Sequence, residues 1–185
     1  MATRQKLKLL PVASVTLRYL NNCGAVQFSP DGSILAIGDV DGQVRLVDVK
    51  TFTETEAFTA TPQINAGWAV MSLAFSPDGR VLAAGTAFSD SAITLWDVVA
   101  KAKLPNLTGH RGFVTSLVFS PDGKTLASAS ADQTIKLWNT ATWKEETTLL
   151  GHADEVWSVG FSSDGTTLVS SGKDGSVYLL SLIHI

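Results

Sequence analysis

Few side chains in this chain could do acid–base or nucleophilic chemistry. Three of them can be assembled on paper into a serine–histidine–aspartate set: Ser128, His110 and Asp132. Such a set transfers acyl groups when histidine takes the serine proton and aspartate orients the imidazole, but it is defined by geometry and needs oxyanion donors and a pocket. The other histidines are His152 and His184, and Cys23 is the sole cysteine. A single cysteine excludes an internal disulfide framework and any CxxC metal or redox pair. No His, Cys and carboxylate group has the spacing of converging metal ligands. The Asp-Gly pairs lack the dense ligand alternation of a calcium loop and read as turns. No glycine-rich loop joins a strand to a helix to cradle a phosphate. No cofactor and no catalytic residue is therefore expected.

The elements that must position these residues are repeats. Phe28–Gly32, Phe75–Gly79 and Phe119–Gly123 read FSPDG, and Phe161–Gly165 reads FSSDG, with the phenylalanines 47, 44 and 42 residues apart. A period of roughly 40–45 residues marks four-stranded propeller blades. The third unit, from Gly109 to Thr140, is the clearest. Phe113–Ser120 alternates as a strand with Val114, Leu117 and Phe119 in the core. Pro121-Asp122-Gly123 is a tight turn, because proline presets φ, aspartate bonds nearby backbone and glycine accepts positive φ. Thr125–Ala131 is a strand of small residues that lets neighbouring sheets approach. A turn at Asp132-Gln133 leads to the β-branched and aromatic strand Thr134–Asn139, and Lys144–Leu150 supplies a polar outer strand. Strand–turn–strand at this spacing gives an antiparallel meander.

Composition bounds the rest. With 185 residues, 45% hydrophobic and 17% charged, the chain can bury a sizeable core. A net charge of −3 argues against a nucleic acid or an anionic membrane as partner. No stretch approaches the roughly 20 apolar residues of a membrane span. The beginning, with Arg4, Lys6 and Lys8 before a short apolar run, reads as a solvated arm and an outer strand over Leu9–Leu20. Pro11, Ser14 and Thr16 interrupt the run and no cleavage signal follows, so a cytoplasmic location is expected. The Asn106-Leu107-Thr108 sequon would matter only in a secreted chain.

These residues resemble the WD-repeat (WD40) family over nearly the whole chain. The resemblance rests on Gly109-His110 and Gly151-His152, the FSPDG turns, and the aspartates Asp41, Asp90, Asp132 and Asp174. It also rests on Trp96-Asp97 and its variants Trp138-Asn139 and Val47-Asp48. It implies an all-β propeller built from a hydrogen-bonded tetrad in each blade. The tetrad would be His110, Ser128, Asp132 and Trp138 in the third unit, and His152, Ser170 and Asp174 in the fourth. In the second it would keep Asp90 and Trp96, with Ala66 in the histidine position. The first unit has Val47 for tryptophan and Arg18-Tyr19 for Gly-His. In this reading the paper triad is a buried structural network, and cohesion falls towards the N-terminus.

The units read as an arm over 1–20 and repeats over 21–60, 61–104, 105–148 and 149–179, the last incomplete. By alignment Leu180 takes the tryptophan position of the fourth unit. From there LSLIHI matches the in-frame reading of a transposase sequencing adapter, so 180–185 is expected to be a non-native tail; the alternative is a degenerate last repeat. Most rings of this family have seven blades, which implies an open arc of four with apolar terminal faces. The resemblance further implies that proteins or peptides dock on the top face, and that the missing blades of the same propeller are a second kind of partner. Carried over by position, that face holds Ala69, Met71 and Ser89; Phe113, Thr115 and Ala131; Glu155, Trp157 and Lys173; and Val40. The implied function is an interaction scaffold without chemistry of its own. The alternative is the sensor or recruiting propeller of a larger kinase, protease or NTPase.

Overall fold

A computed structural model describes residues 23–60, 70–87 and 91–182. The described residues form strands and turns, without a helix, in four antiparallel meanders. The first sheet is β1 (Cys23–Phe28), β2 (Ile34–Asp39), β3 (Gln43–Asp48) and β4 (Glu54–Thr59). The second is β5 (Val70–Phe75), β6 (Val81–Thr86), β7 (Ile93–Asp97) and the short β8 (Ala102–Lys103), with Leu107 bridging back to Ile93. The third is β9 (Val114–Phe119), β10 (Thr125–Ser130), β11 (Ile135–Asn139) and β12 (Lys144–Leu149). The fourth has three strands among the described residues: β13 (Val156–Phe161), β14 (Thr167–Gly172) and β15 (Val177–Ser181). The inner strands β1, β5, β9 and β13 pack against one another in order, so the sheets stand side by side in an open arc, an incomplete propeller. The arm expected over 1–20 lies outside the described residues.

The pentapeptide is a turn that satisfies itself. Ser120 Oγ donates to Asp122 Oδ1 at 2.7 Å and accepts from Thr125 N–H at 3.0 Å, while Lys124 N–H bonds the same carboxylate at 3.1 Å. The Ser29, Ser76 and Ser162 turns repeat the pattern. The glycines that close the four turns have φ between 70° and 72°, a conformation a Cβ would strain. Serine hydroxyls hold the turn carboxylates down, Asp31 and Asp164 to about 2.

The core lies between sheets, not within them. Each joint combines aliphatic residues from the second and third strands of one sheet with the first strand and second-strand leucine of the next. Leu82, Leu126 and Leu168 occupy equivalent places and are fully buried. Small residues in the second strands permit the approach: a Cβ added at Gly85 would stand 2.7 Å from Val114 Cγ1. Polar side chains also cross the joints. Leu117 N–H donates to Ser72 Oγ at 2.9 Å, and Val159 N–H to Ser116 Oγ at 3.3 Å.

The expected tail continues the sheet. Leu180 pairs with Leu168 and Ser181 with Thr167, and Leu182 N–H bonds Thr166 O at 2.9 Å. Leu180 and Leu182 pack against the core of the last joint. Whatever the origin of these codons, their first residues follow the path of a third strand.

Candidate functional site

The residues drawn into the paper triad come together inside the third sheet. His110 precedes β9, Ser128 lies in β10, Asp132 in the β10–β11 turn and Trp138 in β11. Trp138 Nε1–H donates to Ser128 Oγ at 2.8 Å, and Ser128 Oγ lies 2.7 Å from His110 Nε2. His110 Nδ1 lies 2.9 Å from Asp132 Oδ2. Indole only donates, so Ser128 Oγ accepts from it; with the hydroxyl hydrogen-bonded to Nε2 as donor, Nδ1–H is the group that faces the carboxylate. Asp132 also accepts Arg111 N–H at 2.9 Å, Thr134 N–H at 3.0 Å and Thr134 Oγ1–H at 2.6 Å. Burial pushes the Asp132 carboxyl up, but hydrogen bonds from His110, Thr134 and the Arg111 backbone outweigh it and hold the group well below the usual carboxylate range. Ser128 is fully buried, so its oxygen meets no substrate. This arrangement ties the strands of the sheet together.

The fourth sheet repeats three of the four groups. His152 Nδ1 lies 3.0 Å from Asp174 Oδ2, and His152 Nε2 lies 2.9 Å from Ser170 Oγ. Leu180 stands where Trp138 stands, pairing with Leu168 as Trp138 pairs with Leu126. A cavity of about 80 Å³ lined by His152, Ser170, Tyr178 and Leu180 lies beside it. Tyr178 packs edge-on against His152 at 4.6 Å, a contact the sequence reading missed. In the second sheet Ala84 takes the register place of Ser128, and Phe58 from the first sheet stacks on Trp96 at 5.2 Å. Asp90, Ala66 and Arg18-Tyr19 lie outside the described residues. In the first sheet Val47 is buried at the tryptophan place, and Asp39 accepts from Asp41 and Gln43 N–H. Among the described residues no group of three His, Cys, Asp or Glu side chains could hold a metal ion.

The candidate docking residues gather at the end of the sheets where each first strand begins and each second strand turns into the third. Val70, Val114 and Val156 are fully buried there, so their neighbours along the strand turn the other way. A β-bulge recurs at this place in all four sheets. Its extra residue is Gly24 in the first sheet, then Met71, Thr115 and Trp157. A bulge re-aims the residue it inserts. Trp157 and Phe113 are exposed, whereas Met71 and Thr115 are half-buried. Thr115 Oγ1 donates to Val156 O at 2.5 Å, so it joins the third sheet to the fourth. Glu155 bonds both its neighbours, Lys173 Nζ at 3.1 Å and Trp157 Nε1 at 3.4 Å. Asp154 lies 3.8 Å from the same ammonium. The Glu155 hydrogen bond, helped by both carboxylates, raises the Lys173 pKa. Ser89 and Ala69 lie outside the described residues; Ala131 and Val40 are half-buried in the turns. Nothing in the sequence signals the bulge, since the inserted residue differs in every unit.

Comparison with known proteins gives the same frame. Transducin beta-like protein 3 of Bos taurus is 38% identical over 106 residues, which is 57% of this chain and 13% of that protein. A guanine nucleotide-binding protein subunit beta of Oryza sativa subsp. indica is 34% identical over 115 residues, 59% of this chain and 30% of that one. The chain thus spans under a third of the relatives it matches. The solved structure of U3-55K superposes with a TM-score of 0.76 at 26% identity, covering 88% of this chain and 49% of that one. The family model described as "WD domain, G-beta repeat" matches residues 18–48, 59–97, 101–139 and 143–180, each stretch reaching the third strand of a sheet. Four matches laid in phase over four meanders place this chain in the WD40 (WD domain, G-beta repeat) family, to which it belongs.

Proposed function

We propose that this chain is a protein-interaction module that captures a protein or peptide on the bulged end of its sheets and does no chemistry of its own. The observation that carries the reading is the pair of exposed aromatics, Phe113 and Trp157, where two adjacent inner strands begin. Aromatic side chains bury large apolar area at small entropic cost and are typical interface anchors. Glu155, Lys173 and Asp154 surround Trp157 with charge that sets orientation, and Met71 extends the apolar strip. Further blades completing the ring are a second class of partner. The net charge of −3 favours proteins over nucleic acid and over an anionic membrane. A single cysteine supports a reducing, cytoplasmic setting.

The test is selection of binders from a displayed peptide library, followed by affinity measurement against Phe113→Ala/Trp157→Ala. The double variant is expected to keep the thermal midpoint of the parent and to lose at least about tenfold in affinity, as removal of anchor residues does. Equal affinity in parent and variant would remove this end of the sheets as the binding surface.

A further inference from the structure

At the end of the sheets away from the bulges, the joint between the second and third sheets holds a cavity of about 270 Å³. Its walls include Pro77 and Asp78 of one FSPDG turn, Asp122 and Gly123 of the next, and Phe119 and Trp143. The volume lies below the roughly 300–1,000 Å³ of pockets that take whole small molecules, and it suits one long side chain. The walls are held in place by the chain itself. Thr140 Oγ1 donates to Gly123 O at 2.7 Å and Thr140 N–H to Lys124 O at 3.0 Å, which fixes the β11–β12 turn against the FSPDG turn. Trp143 N–H bonds Asn139 O at 2.7 Å, and its side chain packs against the core of this joint.

The charge in the cavity has one sign. In both turns the serine hydroxyl and the backbone N–H of Arg80 or Lys124 use Oδ1 of the aspartate. Those bonds, the serine's first, hold the Asp78 and Asp122 carboxyls below the usual range, so both are anionic near neutral pH. Oδ2 of each carboxylate takes no part in these turn bonds. The nearby cations are engaged elsewhere or loosely held. Arg80 Nε bonds Asp97 Oδ2 at 2.8 Å, and Lys124 Nζ stands 3.7 Å from Asp122 Oδ2 on a side chain that is 83% exposed. An ion pair that open to solvent contributes little and yields to a competitor.

The first joint shows what the chain supplies for itself at this end. Phe52, Lys101 and Trp143 hold the same place after the third strand of their sheets, with φ of 55°, 53° and 54°. Lys101 Nζ crosses the first joint to Glu56 Oε2 at 2.8 Å. At the second joint an indole stands in that place and brings no charge.

We propose that this cavity receives an arginine side chain of a partner peptide, its guanidinium stacked on Trp143 and hydrogen-bonded to the carboxylates of Asp78 and Asp122. An indole beside two carboxylates favours this planar cation, which stacks on aromatic faces and spends its donors on carboxylate oxygens. The surface lies at the opposite end of the sheets from Phe113 and Trp157 and is independent of docking there.

Fluorine NMR on the full chain carrying fluorotryptophan tests this, with the Trp143 line assigned by Trp143→Phe. The probe is the peptide acetyl-Gly-Gly-Arg-Gly-Gly-amide at up to millimolar concentration. The control peptide has citrulline for arginine, the same shape without the charge. The Trp143 line should shift saturably with the arginine peptide and stay in place with the citrulline peptide. An unmoved line, or an equal shift with citrulline, overturns the proposal. Asp78→Asn/Asp122→Asn keeps an Oδ1 acceptor for each turn and should weaken binding about tenfold, as loss of charge-assisted bonds does. Unchanged affinity in that folded variant also overturns it. Phe113→Ala/Trp157→Ala should bind the peptide as the parent does; loss of the shift there would move the site to the bulged end and sink the assignment. Circular dichroism checks folding, and should the asparagine variant misfold, the arginine–citrulline comparison on the parent decides.

Discussion

The indole of Trp138 fills a joint between sheets with carbon and gives its one polar hydrogen to Ser128 Oγ, so a truncation removes packing and a buried hydrogen bond together. Trp138→Ala should cost roughly 3–5 kcal/mol, the usual range for a large buried aromatic, read as a lower denaturation midpoint. An unchanged midpoint would deprive the network of its structural role. Asp132 carries the pH dependence of the same network. Its folded pKa is depressed, so its stabilisation is fully present above the ordinary carboxylate value of 3.8 and is lost as pH falls below that value towards the folded one. Asp132→Asn should lower the thermal midpoint at neutral pH and shrink the further drop on acidification. The turn carboxylates titrate with the same sign, so part of the acid sensitivity should survive in the variant. A melting series from neutral to acid pH on parent and variant checks both statements.

At the scale of the strand, β15 shows what a missing tryptophan leaves behind. Leu180 keeps the register but leaves Ser170 without an indole donor and a cavity of about 80 Å³ alongside. Leu180→Trp should fill that space, donate to Ser170 Oγ and raise the stability by about 1 kcal/mol, as cavity-filling changes often do. For a chain of this length that is a thermal midpoint roughly 2–4 °C higher. A lower midpoint would mean that Tyr178 and His152 already close the space against an indole. Strand identity was legible because FSPDG and the Ser, His, Asp and Trp positions have local requirements that few residue types meet. The bulge was not legible, because Gly24, Met71, Thr115 and Trp157 have nothing in common but their register. Phe58 against Trp96 was equally hidden, since neither sheet's own sequence announces a stacking partner on the next. The serines bonding across joints, Ser72 and Ser116, stand three residues before Phe75 and Phe119 and could have been noticed.

Over the whole molecule, the side-by-side sheets were readable from periodicity, because a fixed repeat length with tight turns permits little else, whereas the open arc followed only from the resemblance to a family whose rings have more blades than the four units here. Which residues of the bulged end are accessible was not. Exposure there depends on how far one sheet overlaps the next, and that overlap turned Thr115 into a strut between sheets while leaving Trp157 outside. The matched family stretches and the sheets are also out of step. The stretch 101–139 opens with β8, the outer strand of the second sheet, and 143–180 opens with β12, the outer strand of the third. Anyone shortening or grafting this protein at those limits would carry away a neighbour's edge and leave raw backbone amides behind. Scission between Leu107 and Gly109, or between Leu149 and Gly151, would instead keep each sheet's strands and its histidine together.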